Sequence, residues 1–311
     1  MRIVFMGTPR AAVPTLQRCV ADGHEVVAVW TQPDRPAGRG HRMAFSPVKE
    51  FAVSHGLSVF QPVRLKNDDA LNLFASHDAD LAVVVAYGRI LPERFLQTPR
   101  RGCINVHFSL LPLYRGAAPA NWAIVNGETE TGVTTMFIEP ALDTGPILLQ
   151  RKSPIGDTET APELMDRLSE TGAELLGETL SQLDHLTPRP QHDRDATFAP
   201  ILKKEDGSID WSRNAIEIER CVRGFQPWPN AYTSFNGKGL TIWRAQSVSS
   251  VSGINPGEVL AAHGDDLLVQ CGEQTALRLI EVQPEARKRI GVRDFINGMH
   301  VKVGDRLGRE A

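Results

Sequence analysis

Short, largely apolar runs punctuate the first half of the chain: Arg2–Gly7, Val26–Thr31, Leu81–Tyr87 and Cys103–Ser109. Runs of this kind predict strands buried on both faces, as strands of a parallel sheet are. Between them the pattern changes to a helical one. Ser46-Pro47 ahead of Val48–His55, with Gly56 behind it, supplies an N-cap, a first-turn proline and a glycine stop. Asn67 opens a second helical stretch through His77. Thr160-Ala161-Pro162-Glu163 reads as a capping box, and Leu164, Leu168, Leu175 and Leu183 then recur at helical spacing toward Asp184. This alternation predicts an α/β fold over residues 1–184: a Rossmann-like, doubly wound, mostly parallel sheet.

The pattern breaks at His185–Pro200, which is rich in proline and charge and has no sustained period. It reads as a connector, so the expected division is a first domain over 1–184, a linker over 185–205 and a second domain over 206–311. Beyond it, Ser212 leads a short helix to Arg223. The runs Tyr232–Asn236, Leu240–Ala245, Gly257–Leu260, Leu267–Cys271 and Ala276–Val282 are separated by Asn236-Gly237, His263-Gly264-Asp265 and Cys271-Gly272. Closely spaced short strands with glycine turns predict a small β-barrel.

A length of 311 residues suits two domains, and 41% apolar residues is ordinary for a buried core. The 34 lysines and arginines against 37 aspartates and glutamates give a net charge of −3, so any contact with a polyanion must come from local patches. The cysteines Cys19, Cys103, Cys221 and Cys271 lie far apart, with no C-x-x-C pair, which implies a reduced, cytoplasmic protein. The run Leu81–Tyr87 is far shorter than the roughly 20 residues of a membrane span, so no membrane association is expected. Met1-Arg2 leads directly into strand-like Ile3-Val4-Phe5, which leaves no room for a signal peptide.

Ligands of open α/β sheets bind beyond the carboxyl ends of the strands. After the first strand, Gly7-Thr8-Pro9-Arg10-Ala11-Ala12 has one glycine where a dinucleotide fingerprint needs three, which argues against an NAD-dependent oxidoreductase. The fourth strand carries Asn105 and His107, two residues apart and so on one face. An amide donor beside an imidazole suits acyl transfer, the first steadying an oxyanion and the second moving protons near neutral pH. From these two residues alone, a buried histidine satisfied by backbone is the plainer reading. Asp143, on the turn Leu142-Asp143-Thr144-Gly145, is by itself an ordinary turn former. Together with the other two it can orient the imidazole.

Asn105-x-His107, then Ser109-Leu110-Leu111-Pro112-x-Tyr114-Arg115-Gly116, then Asp143-Thr144-Gly145 resembles the core shared by 10-formyltetrahydrofolate-dependent formyltransferases. Gln32–Arg42, Thr197-Phe198-Ala199-Pro200, Lys204-Glu205-Asp206-Gly207 and Phe225–Thr233 narrow the likeness to the methionyl-tRNA formyltransferase family. Asn230 and Ile201 depart from the glycine and lysine more usual there. The resemblance implies catalysis by Asn105, His107 and Asp143, with a folate pocket involving Ser109, Leu110, Leu111, Pro112, Gly88 and Ile90. It implies 10-formyltetrahydrofolate as co-substrate, without a metal, and a second domain of the oligonucleotide-binding (OB) type. It also implies formylation of methionyl initiator tRNA by a monomeric enzyme.

From Gln32 to Lys49, four basic residues (Arg35, Arg39, Arg42, Lys49) face one acidic residue, Asp34, a net +3 in a loop made mobile by Gly38 and Gly40. Such a run is ordinarily a solvated surface; the resemblance makes it the tRNA-binding loop. Residues 281–311 carry seven basic and five acidic side chains, a modest patch of +2. Trp122, Trp211, Trp228 and Trp243 are expected to pack in cores, and His185, His192, Asp193 and Asp195 lack metal-ligand spacing. A formyltransferase acting on a small amine, such as an amino sugar or purine precursor, would use the same three residues. A non-enzymatic RNA-binding protein would not need them filled.

Overall fold

A computed structural model describes residues 1–37, 42–249 and 255–308; of Pro36, Ala37 and Arg42 it describes the backbone alone. Two compact units emerge. The first comprises Met1–Pro119, Glu130–Pro154 and Met165–Ala199; the second comprises Ala120–Thr129, Ile155–Leu164 and Pro200–Ala311.

In chain order the strands of the first unit are β1 (Arg2–Gly7), β2 (Glu25–Trp30), β3 (Arg35–Ala37), β4 (Arg42–Ala44), β5 (Val59–Phe60), β6 (Leu81–Val85), β7 (Cys103–His107), β8 (Arg115–Gly116), β9 (Glu130–Phe137), β10 (Ile147–Pro154) and β11 (Phe198–Ala199). Among the described residues, seven of them form one sheet in the order β10-β9-β7-β6-β1-β2-β5. The five strands from β7 to β5 run parallel, β9 runs antiparallel to β7, and β10 runs antiparallel to β9. The order reverses between β1 and β6, the switch point where a doubly wound sheet opens a crevice. The apolar runs explain the central strands: Ile3–Met6 and Leu81–Val85 are buried throughout. Alternate residues Val4, Met6, Ala28, Trp30, Ala82, Val84 and Cys103 pack on one face with Phe74 and Phe95.

Both sequence-predicted caps form. Ser46 accepts from Lys49 N at the start of α2 (Pro47–Ser54), after α1 (Val13–Ala21), and Asn67 accepts from Ala70 N at the start of α3 (Asp68–Ala75). Farther along lie α4 (Glu93–Leu96), α5 (Pro119–Val125) and the long α6 (Ala161–Gln182). At the Thr160 box, Glu163 accepts from Thr160 N at 2.9 Å and from its hydroxyl at 2.8 Å. Helix α6 lies tight on the sheet at Gly172, where an added methyl carbon would sit 2.9 Å from Val106 Cγ1.

The second unit departs from expectation at its first helix. Helix α7 (Ala215–Gly224) is capped by Asn214, which accepts from Ile216 N, rather than led by Ser212. All five expected strands form, as β12 (Ala231–Phe235), β13 (Lys238–Val248), β14 (Val259–His263), β15 (Asp266–Gln270) and β16 (Ala276–Pro284). The short β17 (Ile290–Gly291) and α8 (Val292–Met299) follow. The ladder β12-β13-β16-β15-β14 is antiparallel, with β17 on β16. Residues 304–308 then bridge its two edges: Gly308 N donates to Ser234 O at 2.9 Å beside β12, and Val259 N donates to Asp305 O at 2.8 Å in β14. The result is a closed small barrel around Ile218, Phe235, Ile242, Leu277 and Phe295. Trp211 is core, but Trp228, expected to pack, is 53% exposed. Asn230 sits at φ +62°, a left-handed position that glycine takes without cost and asparagine tolerates.

Candidate active site

The site gathers at the carboxyl edge of the first unit's sheet, where β7 delivers Asn105 and His107. Val84 and Met136 are the partners of Asn105 in the flanking strands, so its position is set by ladders on both sides. Asn105 is half-buried, and its amide makes no hydrogen bond to any described residue. A donor held on a central strand without an internal partner is available to a substrate oxygen.

His107 is 6% exposed and lies 3.0 Å from Tyr114 O through Nε2. A carbonyl can only accept, so Nε2 carries the hydrogen and Nδ1 is the nitrogen free to take a proton. That Nδ1 faces Asp143 Oδ2 at 3.7 Å, longer than a hydrogen bond. The carboxylate is instead held by the Gly116 amide, which donates to Oδ2 at 2.9 Å. Orientation of the ring therefore comes from Tyr114, and Asp143 supplies a negative charge beside the proton-accepting nitrogen. This pairing becomes attractive once the imidazole is protonated.

Two tight backbone approaches hold these parts. Gly116 has φ +131°, and a methyl carbon there would lie 2.4 Å from Ala199 O; at Gly145 it would lie 1.9 Å from Phe137 O. Asp143 itself is left-handed, at φ +53°.

The predicted folate residues divide by role. Ser109 donates to Leu113 O at 2.6 Å and Leu111 N donates to Thr134 Oγ1 at 3.1 Å, while the Leu111 side chain is buried with Met136 and Ile147. These bonds preform the loop, and Ser109 and Leu111 turn their side chains inward. Leu110 packs against Gly132, and Pro112 is half-buried. On the other side of Asn105, the chain after β6 carries Gly88 at φ +80° and Ile90, 76% exposed. An exposed isoleucine and bare glycine backbone at the switch-point edge fit the face of a planar heterocycle such as a pterin. Tyr87, just before Gly88, is buried, and burial pushes its phenol up to about 12.

Within the basic segment, β3 and β4 pair antiparallel, Arg35 opposite Ala44. Arg35 is exposed on this hairpin; Arg39 lies outside the described residues, as do Gly38 and Gly40, and for Arg42 only the strand position is described. Lys49 stands elsewhere. Its ammonium donates to Asp34 Oδ2 at 2.5 Å and Gln61 Oε1 at 2.8 Å and sits 3.9 Å above the Phe45 ring. These bonds hold the Asp34 carboxyl below the usual carboxylate range and tie the hairpin's base to the sheet. Gln61 in turn donates to Gln32 O at 2.8 Å, and Gln32 donates to Tyr87 O at 3.0 Å. The glutamines were invisible to motif reasoning, since neutral amides leave no charge pattern.

A second group was missed in the connector. Gln191 Nε2 donates to Asp143 O at 2.9 Å and to Gly145 O at 2.7 Å, and Gln191 Oε1 accepts from Arg115 Nε at 3.1 Å. In the second unit, Arg289 pairs with Glu281 and lies over Trp243, and Arg293 pairs with Asp265, so part of the C-terminal basic charge is internally matched.

Comparison with known proteins follows this geometry. Residues 1–180 match the model of the family described as formyl transferase, and residues 201–300 match that of the formyl transferase C-terminal domain. The methionyl-tRNA formyltransferase of Koribacter versatilis is 51% identical over 312 residues, covering 99% of this chain and 99% of its own. That of Caldanaerobacter subterraneus subsp. tengcongensis is 49% identical over 307 residues, covering 98% of this chain and 99% of its own. Among solved structures, an N-formyltransferase from Helicobacter canadensis, in complex with folinic acid and dTDP-3-aminofucose, superposes with a TM-score of 0.66 at 18% identity. It covers 91% of this chain and 99% of that one, and at this identity the likeness is one of fold.

Proposed function

The chain belongs to the formyl transferase family, and from that premise we propose that it moves a formyl group from 10-formyltetrahydrofolate to the α-amino group of methionine esterified to initiator tRNA. The observation that carries the chemistry is His107: a buried imidazole with Nε2–H fixed on Tyr114 O and Nδ1 turned to Asp143. The acceptor is assigned from the near-full-length methionyl-tRNA formyltransferase relatives together with the paired strands β3 and β4, which carry Arg35 and Arg42.

The folate supplies an activated formyl carbon attached to N10. The attacking amine forms a C–N bond to that carbon, and the carbonyl oxygen gains negative charge. Asn105 donates a hydrogen bond to this oxygen. His107 Nδ1 takes the proton that the attacking nitrogen sheds, and the nearby Asp143 carboxylate stabilises the resulting imidazolium. The proton then passes from Nδ1 to N10 as the old C–N bond breaks, and His107 returns to its neutral state. Gly88, Ile90 and the Ser109–Pro112 loop hold the pterin, with Ser109 and Leu111 shaping the loop from within. Arg35, Arg39 and Arg42 contact the tRNA, and Lys49 anchors their hairpin through Asp34. Residues 1–184 carry folate and catalysis, and the barrel beyond residue 205 carries further tRNA contacts. With all four cysteines as free thiols, three of them buried, the reducing cytoplasm is the setting we assign; we assign a monomer as the working unit.

Formyl transfer is to be measured with charged initiator tRNA, charged elongator tRNA and free methionine as acceptors. Transfer only to the charged initiator is expected, with His107→Ala slower by about 10² to 10⁴. Efficient transfer to a small amine would replace the acceptor assignment, and near-normal turnover in His107→Ala would remove the base.

A further inference from the structure

We propose that Gln191, in the segment that reads as an interdomain spacer, is a positioning residue for formyl transfer: it locks the Asp143 turn so that the carboxylate faces His107. This inference rests on the catalytic roles assigned above to His107 and Asp143.

Residues 189–199 do not run free. At one end Arg189 exchanges two backbone hydrogen bonds with Ile147, both 2.8 Å. At the other, Thr197 O accepts from Arg115 N at 2.9 Å, Ala199 O accepts from Ala117 N at 2.8 Å, and Thr197 Oγ1 accepts from Tyr114 N at 2.8 Å. The segment is thus fastened both to the strand that follows the Asp143 turn and to the stretch that presents Tyr114 O and Gly116 N to the site. Gln191 lies between these fastenings, half-buried.

Its amide links the two sides. Nε2 donates to the carbonyls of Asp143 and Gly145, and Oε1 accepts from the guanidinium of Arg115. Arg115 is 4% exposed and also donates to Asp193 Oδ1 at 2.9 Å, which fixes the far end of the clamp. Asp143 needs such support because a non-glycine residue at φ +53° is held by its surroundings rather than by its own preference. Two bonds to carbonyls on either side of Thr144 fix the turn's backbone, and that backbone aims the carboxylate. Oδ2 then has Gly116 N at 2.9 Å and His107 Nδ1 at 3.7 Å. No other side chain is described as donating to the carbonyls of both Asp143 and Gly145.

Gln191→Met keeps the side chain's volume and removes all three bonds; Gln191→Glu keeps an acceptor for Arg115 and removes both donors. In the full-length enzyme, kcat is measured per donor site, with sites counted by equilibrium binding of 5-formyltetrahydrofolate, alongside KM for the folate donor and the charged tRNA and the thermal midpoint. Both variants are expected to lose kcat by about ten- to hundredfold, the range a slightly misplaced group produces, with both KM values within twofold. The inference is overturned if Gln191→Met keeps kcat within threefold of wild type, if its lost activity matches lost donor sites, or if Gln191→Glu restores turnover and so assigns the role to Arg115. His107→Ala, run in parallel, separates the two levels: its inactivity beside an active Gln191→Met sinks the positioning role alone, and its retained activity sinks the reading of the site.

Discussion

Asp143→Asn isolates the charge of the carboxylate from its place in the fold. The side-chain oxygen that accepts from Gly116 N at 2.9 Å is the one nearest His107, so an asparagine oxygen can take the same bond. Asparagine also tolerates the left-handed backbone at this position at least as well as aspartate. What disappears is the attraction between a carboxylate and the imidazolium formed during transfer. Opposite unit charges separated by 3.7 Å attract by about 4 kcal/mol at an effective dielectric near 20. Residual solvent at Asp143, whose side chain is 13% exposed, reduces this to roughly 3 to 4 kcal/mol, or about 10² to 10³ in rate. The assay is single-turnover formylation of methionyl initiator tRNA at saturating donor, with 5-formyltetrahydrofolate binding and thermal midpoint measured on the same preparation. The variant is expected to bind the folate normally, melt within a degree or two of wild type and transfer slowly. A rate within threefold of wild type would refute the electrostatic argument, because no other route to stabilising Nδ1–H is invoked.

Two further outcomes concern stability. Gly116→Ala combines an unfavourable φ of +131° with a methyl carbon 2.4 Å from Ala199 O, so unfolding in denaturant should reveal a loss of roughly 3 to 5 kcal/mol; a loss below about 1 kcal/mol would mean that the β8–β11 pairing yields freely. His77 accepts the Trp30 indole N–H through Nε2 at 3.1 Å, and burial lowers its pKa, so the ring must stay neutral in the fold. Its contribution is therefore full above the unfolded-state value near 6.5 and is lost as pH falls through the lower folded value. The denaturant midpoint should drop between pH 7.5 and 5.5, less steeply in His77→Gln; identical slopes would clear His77 of any part in the acid sensitivity.

Much of this architecture was legible because it follows from local pattern. The apolar runs located β1, β2, β6 and β7, and Ser46, Asn67 and the Thr160 box marked helix starts that the structure uses. Asn105 and His107 stood out because two chemistry-bearing residues shared a strand otherwise apolar. The antiparallel pair β9 and β10 was less visible, since a run such as Ile147–Pro154 mixes apolar, basic and polar residues where one side of the sheet meets solvent. The connector misled for a physical reason. Proline and charge signal the absence of a helical or strand period, not the absence of contacts. Gln191 and Thr197 act through hydrogen bonds to distant backbone, which no periodicity records. Lys49 illustrates the converse limit: charge counting places it with the arginines, whereas its ammonium is enclosed by Asp34 and Gln61.

The seam at residues 304–308 gives the barrel a temporal order. On a ribosome, β12 and β14 emerge well before the short stretch that joins them, and until it arrives both present unpaired amides and carbonyls along an open margin. Closure must bring together positions as far apart as Ser234 and Gly308, so it belongs late in maturation and at an entropic disadvantage relative to the hairpins. The nascent barrel is therefore unsealed along this margin until the residues that shut it have been made.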